Sequence, residues 1–305
     1  MINSKPKIAV LLAVYNGKQW LNAQVDSILL QIDVDVTIFV SVDTSTDGSE
    51  HICNTLAQQF HNIMVLPLGD KFGGAGKNFF RLIRDVDFTH YDYVAFADQD
   101  DIWFENKLIR AVSMLNNTQA DGYSSNVTAF WSAGKQQLIK KSQPQREWDY
   151  LFEAAGPGCT YVMTSQLAIE IKNVVVKYWL EVNQLAFHDW FSYAYARANG
   201  FPWVIDDEPS MLYRQHENNQ VGANHGIKAF SYRFKKVLGG WGITQAVLVA
   251  KLVGKGDSIF VKRWAGLSRM GFMRLAFSAN QCRRKPIERV YFFLACLLMA
   301  VVGIR

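Results

Sequence analysis

The chain has 305 residues, half of them apolar, 19% charged, with a formal net charge of +5. Such a composition excludes a disordered chain and suffices for one large domain with an appendage, or for two domains. The charge is divided: residues 228–305 carry 15 Lys or Arg against Asp257 and Glu288, a net of +13, while the remainder carries 17 basic and 25 acidic residues, a net of −8.

Residues 8–14 form a continuous β-rich apolar run that breaks at Tyr15-Asn16-Gly17, as a buried parallel strand does. Leu21, Val25, Ile28 and Leu29 then recur at helical spacing. A second apolar strand, 36–42, ends in Asp43-Thr44-Ser45-Thr46-Asp47-Gly48, where Asp43 stands either as an acceptor for a base or ribose or as a turn residue. Ile52, Leu56 and Phe60 give a second helix face, 63–68 a third strand and 78–86 a third helix. The stretch Gly73-Gly74-Ala75-Gly76-Lys77-Asn78 enters that helix, either as a cradle for phosphate on backbone amides or as a plain turn.

The run 93–97 predicts a fourth strand that delivers Asp98-Gln99-Asp100-Asp101 at its end. Three crowded carboxylates repel one another unless a cation lies between them. Residues two apart on extended backbone share a face, so Asp98 and Asp100 converge on one hard ion, or on an ion and a ribose, and Asp101 points elsewhere. The competing assignment makes Asp100 and Asp101 caps of a helix starting near Trp103. Strand and helix alternate through about residue 115, which predicts a doubly wound, mostly parallel, Rossmann-like α/β sheet with its polar strand ends along one edge.

Farther on, 123–131 reads as a strand, 135–144 as a polar loop, 161–164 as a strand and 166–176 as a helix. Gly156-Pro157-Gly158-Cys159-Thr160 makes a turn that allows close backbone approach. His188-Asp189-Trp190 opens a helix running to residue 199; Asp189 between aromatics is either a desolvated proton acceptor or the helix cap. Residues 211–216 read as a strand ending in His216, which is either a satisfied core or surface histidine or, close after Arg214, a metal ligand beside a phosphate-facing cation.

Cys53, Cys159, Cys282 and Cys296 have neither paired nor metal-type spacing, as expected of reduced thiols in the cytosol. Lys5, Lys7 and 8–14 imitate a secretion signal, but no small-residue cleavage site follows. In the tail, 241–253 is largely apolar, 261–277 mixes Trp264, Leu267, Met270, Phe272 and Phe277 with Lys262, Arg263, Arg269 and Arg274, and an apolar run, 290–304, follows Pro286. Fifteen helical residues reach about 22 Å, short of the roughly 30 Å hydrocarbon core. The tail is therefore expected to lie on an anionic membrane surface, with a helical lid or a homo-oligomer interface as the competing assignment. It carries no nucleic-acid-binding motif, and nucleic acid is not an expected partner.

Ala13-Val14-Tyr15-Asn16-Gly17, the turn 43–48, Asp98-Gln99-Asp100-Asp101-Ile102-Trp103, His188-Asp189-Trp190 and Tyr213-Arg214-Gln215-His216 occur in the order seen in family 2 glycosyltransferases. Over about residues 6–222 the chain resembles the bacterial rhamnosyltransferase-type members that build lipopolysaccharide and other cell-surface polysaccharide. The resemblance implies a GT-A fold over 1–227, with a nucleotide-sugar-binding half (1–117) and an acceptor-binding half (118–227), followed by the membrane-associating tail 228–305. It implies an inverting enzyme with a dTDP- or UDP-linked donor, a lipid-linked or saccharide acceptor and Mg²⁺ or Mn²⁺, at the inner face of the cytoplasmic membrane.

By position, Ala13, Tyr15 and Asp43 would meet base and ribose, with Asn16, Asn78 and Arg214 also on the donor. Asp98 would meet ribose or metal, Asp100 the metal, and His216 the metal or diphosphate. Asp189 would be the catalytic base, and Gly158, Cys159, His188 and Trp190 would stand on the acceptor side. One departure is Val42, where many members carry a second acid beside the one at Asp43. Two other assignments compete: a sugar nucleotidyltransferase, which would want a phosphate loop where Tyr15-Asn16-Gly17-Lys18 stands, and a degenerate membrane-bound scaffold.

Overall fold

The computed structural model describes residues 4–68, 71–216 and 240–303. Strands β1 (Lys7–Val14), β2 (Asp35–Val42), β3 (Ile63–Val65) and β4 (Tyr93–Ala97) are mutually parallel, joined by helices α1 (Leu21–Leu29), α2 (Ser49–Gln59) and α3 (Ala75–Asp85). β1 is buried on both faces, which is why it reads as an unbroken apolar run. Alternation divides it: Ala9, Leu11 and Ala13 enter the core on one side of the sheet, Ile8, Val10, Leu12 and Val14 the core on the other.

The chain continues through β5 (Ile102–Trp103), α4 (Lys107–Thr118), β6 (Gly122–Phe130), β7 (Gln136–Ile139), β8 (Val162–Thr164), α5 (Ser165–Lys177), α6 (Trp179–Val182), α7 (His188–Ala198) and β9 (Trp203–Arg214). One mixed sheet of nine strands results, in the order β3-β2-β1-β4-β8-β6-β9-β5, with β7 on β6. The strand sequence reverses between β1 and β4, where an open α/β sheet leaves a crevice beyond the strand ends. The pairing Leu12 with Ala97 brings the segments after both strands side by side there.

Two local expectations change. No helix starts near Trp103: Ile102 and Trp103 pair antiparallel with Leu212 and Met211, and α4 starts at Lys107, so neither Asp100 nor Asp101 is its cap. Within the loop expected at 135–144, Gln136–Ile139 pairs with β6. That strand is almost wholly exposed, so it lacks the apolar alternation by which strands are recognised.

The described part of the tail forms α8 (Trp241–Leu252), α9 (Ile259–Lys262), α10 (Arg269–Phe277), α11 (Ala279–Cys282) and α12 (Pro286–Val302). Instead of standing apart, it shares a core with α3, α5 and α7: Ala246, Val249, Trp264, Phe272 and Leu275 are buried there. Trp148 stacks on Phe260, and Arg284, 2% exposed, reaches Asp149 and Glu153 at 3.8 and 3.6 Å. Among the described residues no helix is long and apolar enough to cross a membrane. The end of the family resemblance, 217–222, and the tail's beginning, 228–239, lie outside the described residues.

Candidate active site

A cleft of about 1640 Å³ opens beyond the strand ends, lined on one side by Ala13, Tyr15, Asn16, Asp43, Asp98 and Asp100 and on the other by Gly158, His188, Asp189 and Trp190. Gln99 joins the two loops at the sheet's reversal: its amide oxygen accepts from Tyr15 N and its nitrogen donates to Tyr15 O, both at 2.8 Å. Nothing in the sequence marked Gln99 except its place between two acids. Trp20 was likewise missed. Its ring stacks on His216 with centroids 4.2 Å apart and lies in the same cleft wall.

The acidic segment divides in two. Asp98 and Asp100 are partly exposed in the cleft, and His216 Nε2 lies 2.6 Å from Asp100 Oδ2. Asp101, expected to point elsewhere, is fully buried with one oxygen accepting from Arg214 N, and its ligand atoms and those of Asp98 and Cys159 all lie within 4.8 Å of one another. Beneath them Lys107 is also fully buried, donating to Cys159 O at 2.5 Å and lying 3.4 Å from the Trp103 ring centre. Burial pushes the Lys107 ammonium down to about 7 against the opposing pull of Cys159, Asp101 and Asp98. Burial, then the charges of Asp100 and Asp189, pushes the Asp98 carboxyl up to about 7. Carboxylates under this mutual strain, with an imidazole beside them, suit a hard divalent cation of the Mg²⁺ or Mn²⁺ type.

Asp43 accepts from Phe72 N and Gly73 N with its two oxygens and from Thr44 N. It thus fixes the glycine-bearing turn before α3 while bordering the cleft. Asn78 is less available than expected: it is buried, Oδ1 takes the Ser41 hydroxyl, and Nδ2 donates to Ser41 O at 3.0 Å and Val14 O at 3.3 Å. Its amide ties β1 to β2, and the residue still borders the cleft. Arg214 also differs from expectation, since Nε donates to Asp100 O at 2.7 Å and the guanidinium lies over the Phe130 ring, holding the acidic segment in place.

Asp189 is the second residue of α7, whose cap is Phe187, so it is not the helix cap. Oδ1 accepts from Trp190 N at 2.7 Å, and burial pushes the carboxyl up to about 6 despite that bond. The turn at Gly158 presses on the start of α7: a Cβ there would stand 2.8 Å from His188 Nε2 and 3.0 Å from Asp189 Cβ. His188 stacks on Phe79 with centroids 3.7 Å apart and is held neutral, burial pushing it down to about 3. Trp190 anchors its indole N–H on Tyr150 O at 2.9 Å. Cys159, expected beside the acceptor, is fully buried under the acidic segment and does not line the cleft.

Residues 9–155 match the model of the Glycosyl transferase family 2 family. The chain is 43% identical over 288 residues to the dTDP-rhamnosyl transferase RfbG of Shigella flexneri, covering 94% of this chain and 99% of that protein. In fold it resembles S. aureus TarS 1-349, with a TM-score of 0.56, 14% identity and coverage of 97% of this chain and 81% of that one. It also resembles the mannosyltransferase PcManGT of Pyrobaculum calidifontis in complex with GDP-Man and Mn²⁺, with a TM-score of 0.52, 14% identity and coverage of 99% and 88%.

Proposed function

The chain belongs to glycosyl transferase family 2, and from that premise we propose that it transfers rhamnose, or a closely similar sugar, from a nucleoside-diphosphate donor to a saccharide acceptor with inversion. The observation that carries this reading is 43% identity over nearly the full length of a dTDP-rhamnosyl transferase, joined to one cleft that holds both the strand-end acids and Asp189. On this reading Ala13, Tyr15 and Asp43 meet base and ribose, and Asp98, Asp100 and His216 hold Mg²⁺ or Mn²⁺. Such an ion, when bound, supplies Lewis-acid stabilisation of charge on a diphosphate. Asp189 takes the proton of the acceptor hydroxyl as that oxygen bonds to the anomeric carbon. The bond from carbon to diphosphate oxygen breaks on the opposite face, and the electron pair leaves with the nucleoside diphosphate. Gly158, His188 and Trp190 border the acceptor.

The deciding measurement is donor turnover with a panel of dTDP-, UDP- and GDP-linked sugars, with Mn²⁺ or with chelator. Turnover selective for dTDP-rhamnose and lost in chelator is expected. Equal turnover in chelator would remove the ion from the reaction.

The tail's exposed apolar side chains support peripheral attachment to an anionic membrane at the cytoplasmic face. Met270, Met273 and Phe277 on α10, and Ile287, Tyr291, Leu294 and Val301 on α12, face solvent among Arg269, Arg274 and Arg289. Pelleting with phosphatidylglycerol vesicles, weakened by salt, is the expected behaviour. Pelleting that survives Phe277→Glu together with Leu294→Glu would leave this face without that role.

A further inference from the structure

His216 stands two residues past the end of β9, with its ring against the acidic segment. An imidazole binds an ion through a nitrogen lone pair that lies in the ring plane. The backbone position, the nitrogen presented and the turn of the ring therefore all have to be set. Bonds of the two preceding residues set the first: Arg214 N donates to Asp101 Oδ1 at 3.0 Å, Arg214 Nε to Asp100 O at 2.7 Å and Gln215 N to Phe130 O at 2.9 Å. Asp100 sets the second, with Oδ2 2.6 Å from Nε2. One such bond still lets the ring turn about the N···O line, and the last torsion of a histidine side chain is a broad rotor.

Trp20 sets the third. Its indole stacks on the imidazole with centroids 4.2 Å apart and an angle of 16° between the planes. The indole stands on a firm base. Trp20 immediately precedes α1; its N donates to Gly17 O at 2.9 Å and its O accepts from Gln24 N at 3.1 Å, while Gly17 N donates to Ser49 Oγ at 2.9 Å. Beyond it Leu21, Val25 and Ile28 bury the inner face of the helix. Trp20 itself belongs to neither apolar core among the described residues, and it lines the cleft together with Asp100 and His216. The stack thus lies at the strand-end acids, where it bears on the ring of a candidate ligand, and not in the core, where it would serve packing.

We infer, resting on the glycosyltransferase reading with its ion at Asp98, Asp100 and His216, that Trp20 is a positioning residue that acts through His216. Its indole holds the imidazole plane so that Nε2 stays turned toward the acids and the cation they hold. Trp20 touches neither the cation nor the nucleotide.

The test counts bound Mn²⁺ directly, from the loss of the free ion's electron paramagnetic resonance signal as the full chain is titrated with and without dTDP. Outer partners that orient a metal-bound histidine change affinity by about 10–100-fold, so Trp20→Leu, which keeps apolar bulk but no flat face, is expected to weaken Mn²⁺ binding about tenfold. Trp20→Ala, as a second variant, does the same. Trp20→Phe, which keeps a flat face, restores most of the affinity. In a His216→Ala background the Trp20→Leu change costs less than about twofold, because residues that act as one unit do not add. Without Mn²⁺, dTDP binds wild type and Trp20→Leu equally by calorimetry. Unchanged Mn²⁺ affinity in Trp20→Leu and Trp20→Ala overturns the inference, as does an equal loss in both backgrounds or a Phe variant as weak as the Leu one. Weaker dTDP binding without Mn²⁺ would make Trp20 a nucleotide contact and overturn it too. Wild type that binds dTDP but no Mn²⁺ is a separate result: it removes the ion from the transferase reading itself, and the role of Trp20 with it.

Discussion

Asp189 illustrates how one side chain takes its chemistry from its surroundings. A solvated aspartate near 3.8 is a weak proton acceptor, whereas burial at the start of α7 lifts this carboxyl to about 6. Asp189→Asn keeps the size of the side chain and removes the proposed base, so turnover is expected to fall by about 10² to 10⁴ while the nucleotide-induced thermal shift persists. Near-normal turnover would take Asp189 out of that role. Because the proposed base would act in its ionised form and its pKa is raised, kcat/KM is expected to fall as pH drops through about 6, not through 4. A profile flat to pH 5 under saturating Mn²⁺ would contradict this. The aromatic neighbours made that rise legible in the sequence. The sequence offered Asp100 and His216 as separate ligand candidates, but their partnership, 116 positions apart, came only from the structure.

Between elements, the closest tolerance lies where the turn at Gly158 meets α7. The residue needs no side chain because His188 and Asp189 already occupy the space a Cβ would take. His188 cannot give way easily, since its ring is sandwiched against Phe79 and edges onto Phe96. Gly158→Ala is therefore expected to shift the start of α7 and lower kcat tenfold or more, with the nucleotide-induced thermal shift unchanged; wild-type kcat would show that the turn relaxes without moving Asp189. The sequence predicted a close-approach turn here, since Gly-Pro-Gly permits one, but not what approaches. The same limit applies to the buried layer of Lys107, Asp101 and Cys159, which comes from α4, the segment after β4 and the turn before β8. Each residue taken singly has an ordinary local reading.

Across the whole molecule, the acidic body and the basic tail meet directly. Arg284 is buried against Asp149 and Glu153, and it donates to Ala154 O at 2.6 Å. Arg284→Met removes one of the cations near each carboxylate, leaving Arg197 at 3.2 Å from Asp149 and Arg283 at 3.9 Å from Glu153, so a loss of about 1.5–3 kcal/mol in stability is expected by chemical denaturation. A loss below about 1 kcal/mol would mean that the tail is held by its apolar contacts alone. By itself the sequence determined the parallel strands, whose double burial writes apolar runs, and the polar clusters at their ends, because a run must break where a strand leaves the sheet. It also determined the charge division and the order of the family motifs. Tertiary structure alone decided which carboxylates share the cleft, that Cys159 lies beneath it, that Arg214 and Asn78 brace the backbone, and that the tail shares a core with the body. Those relations join residues tens to more than a hundred positions apart. Strand order, register and helix packing set such distances, and no local pattern encodes them.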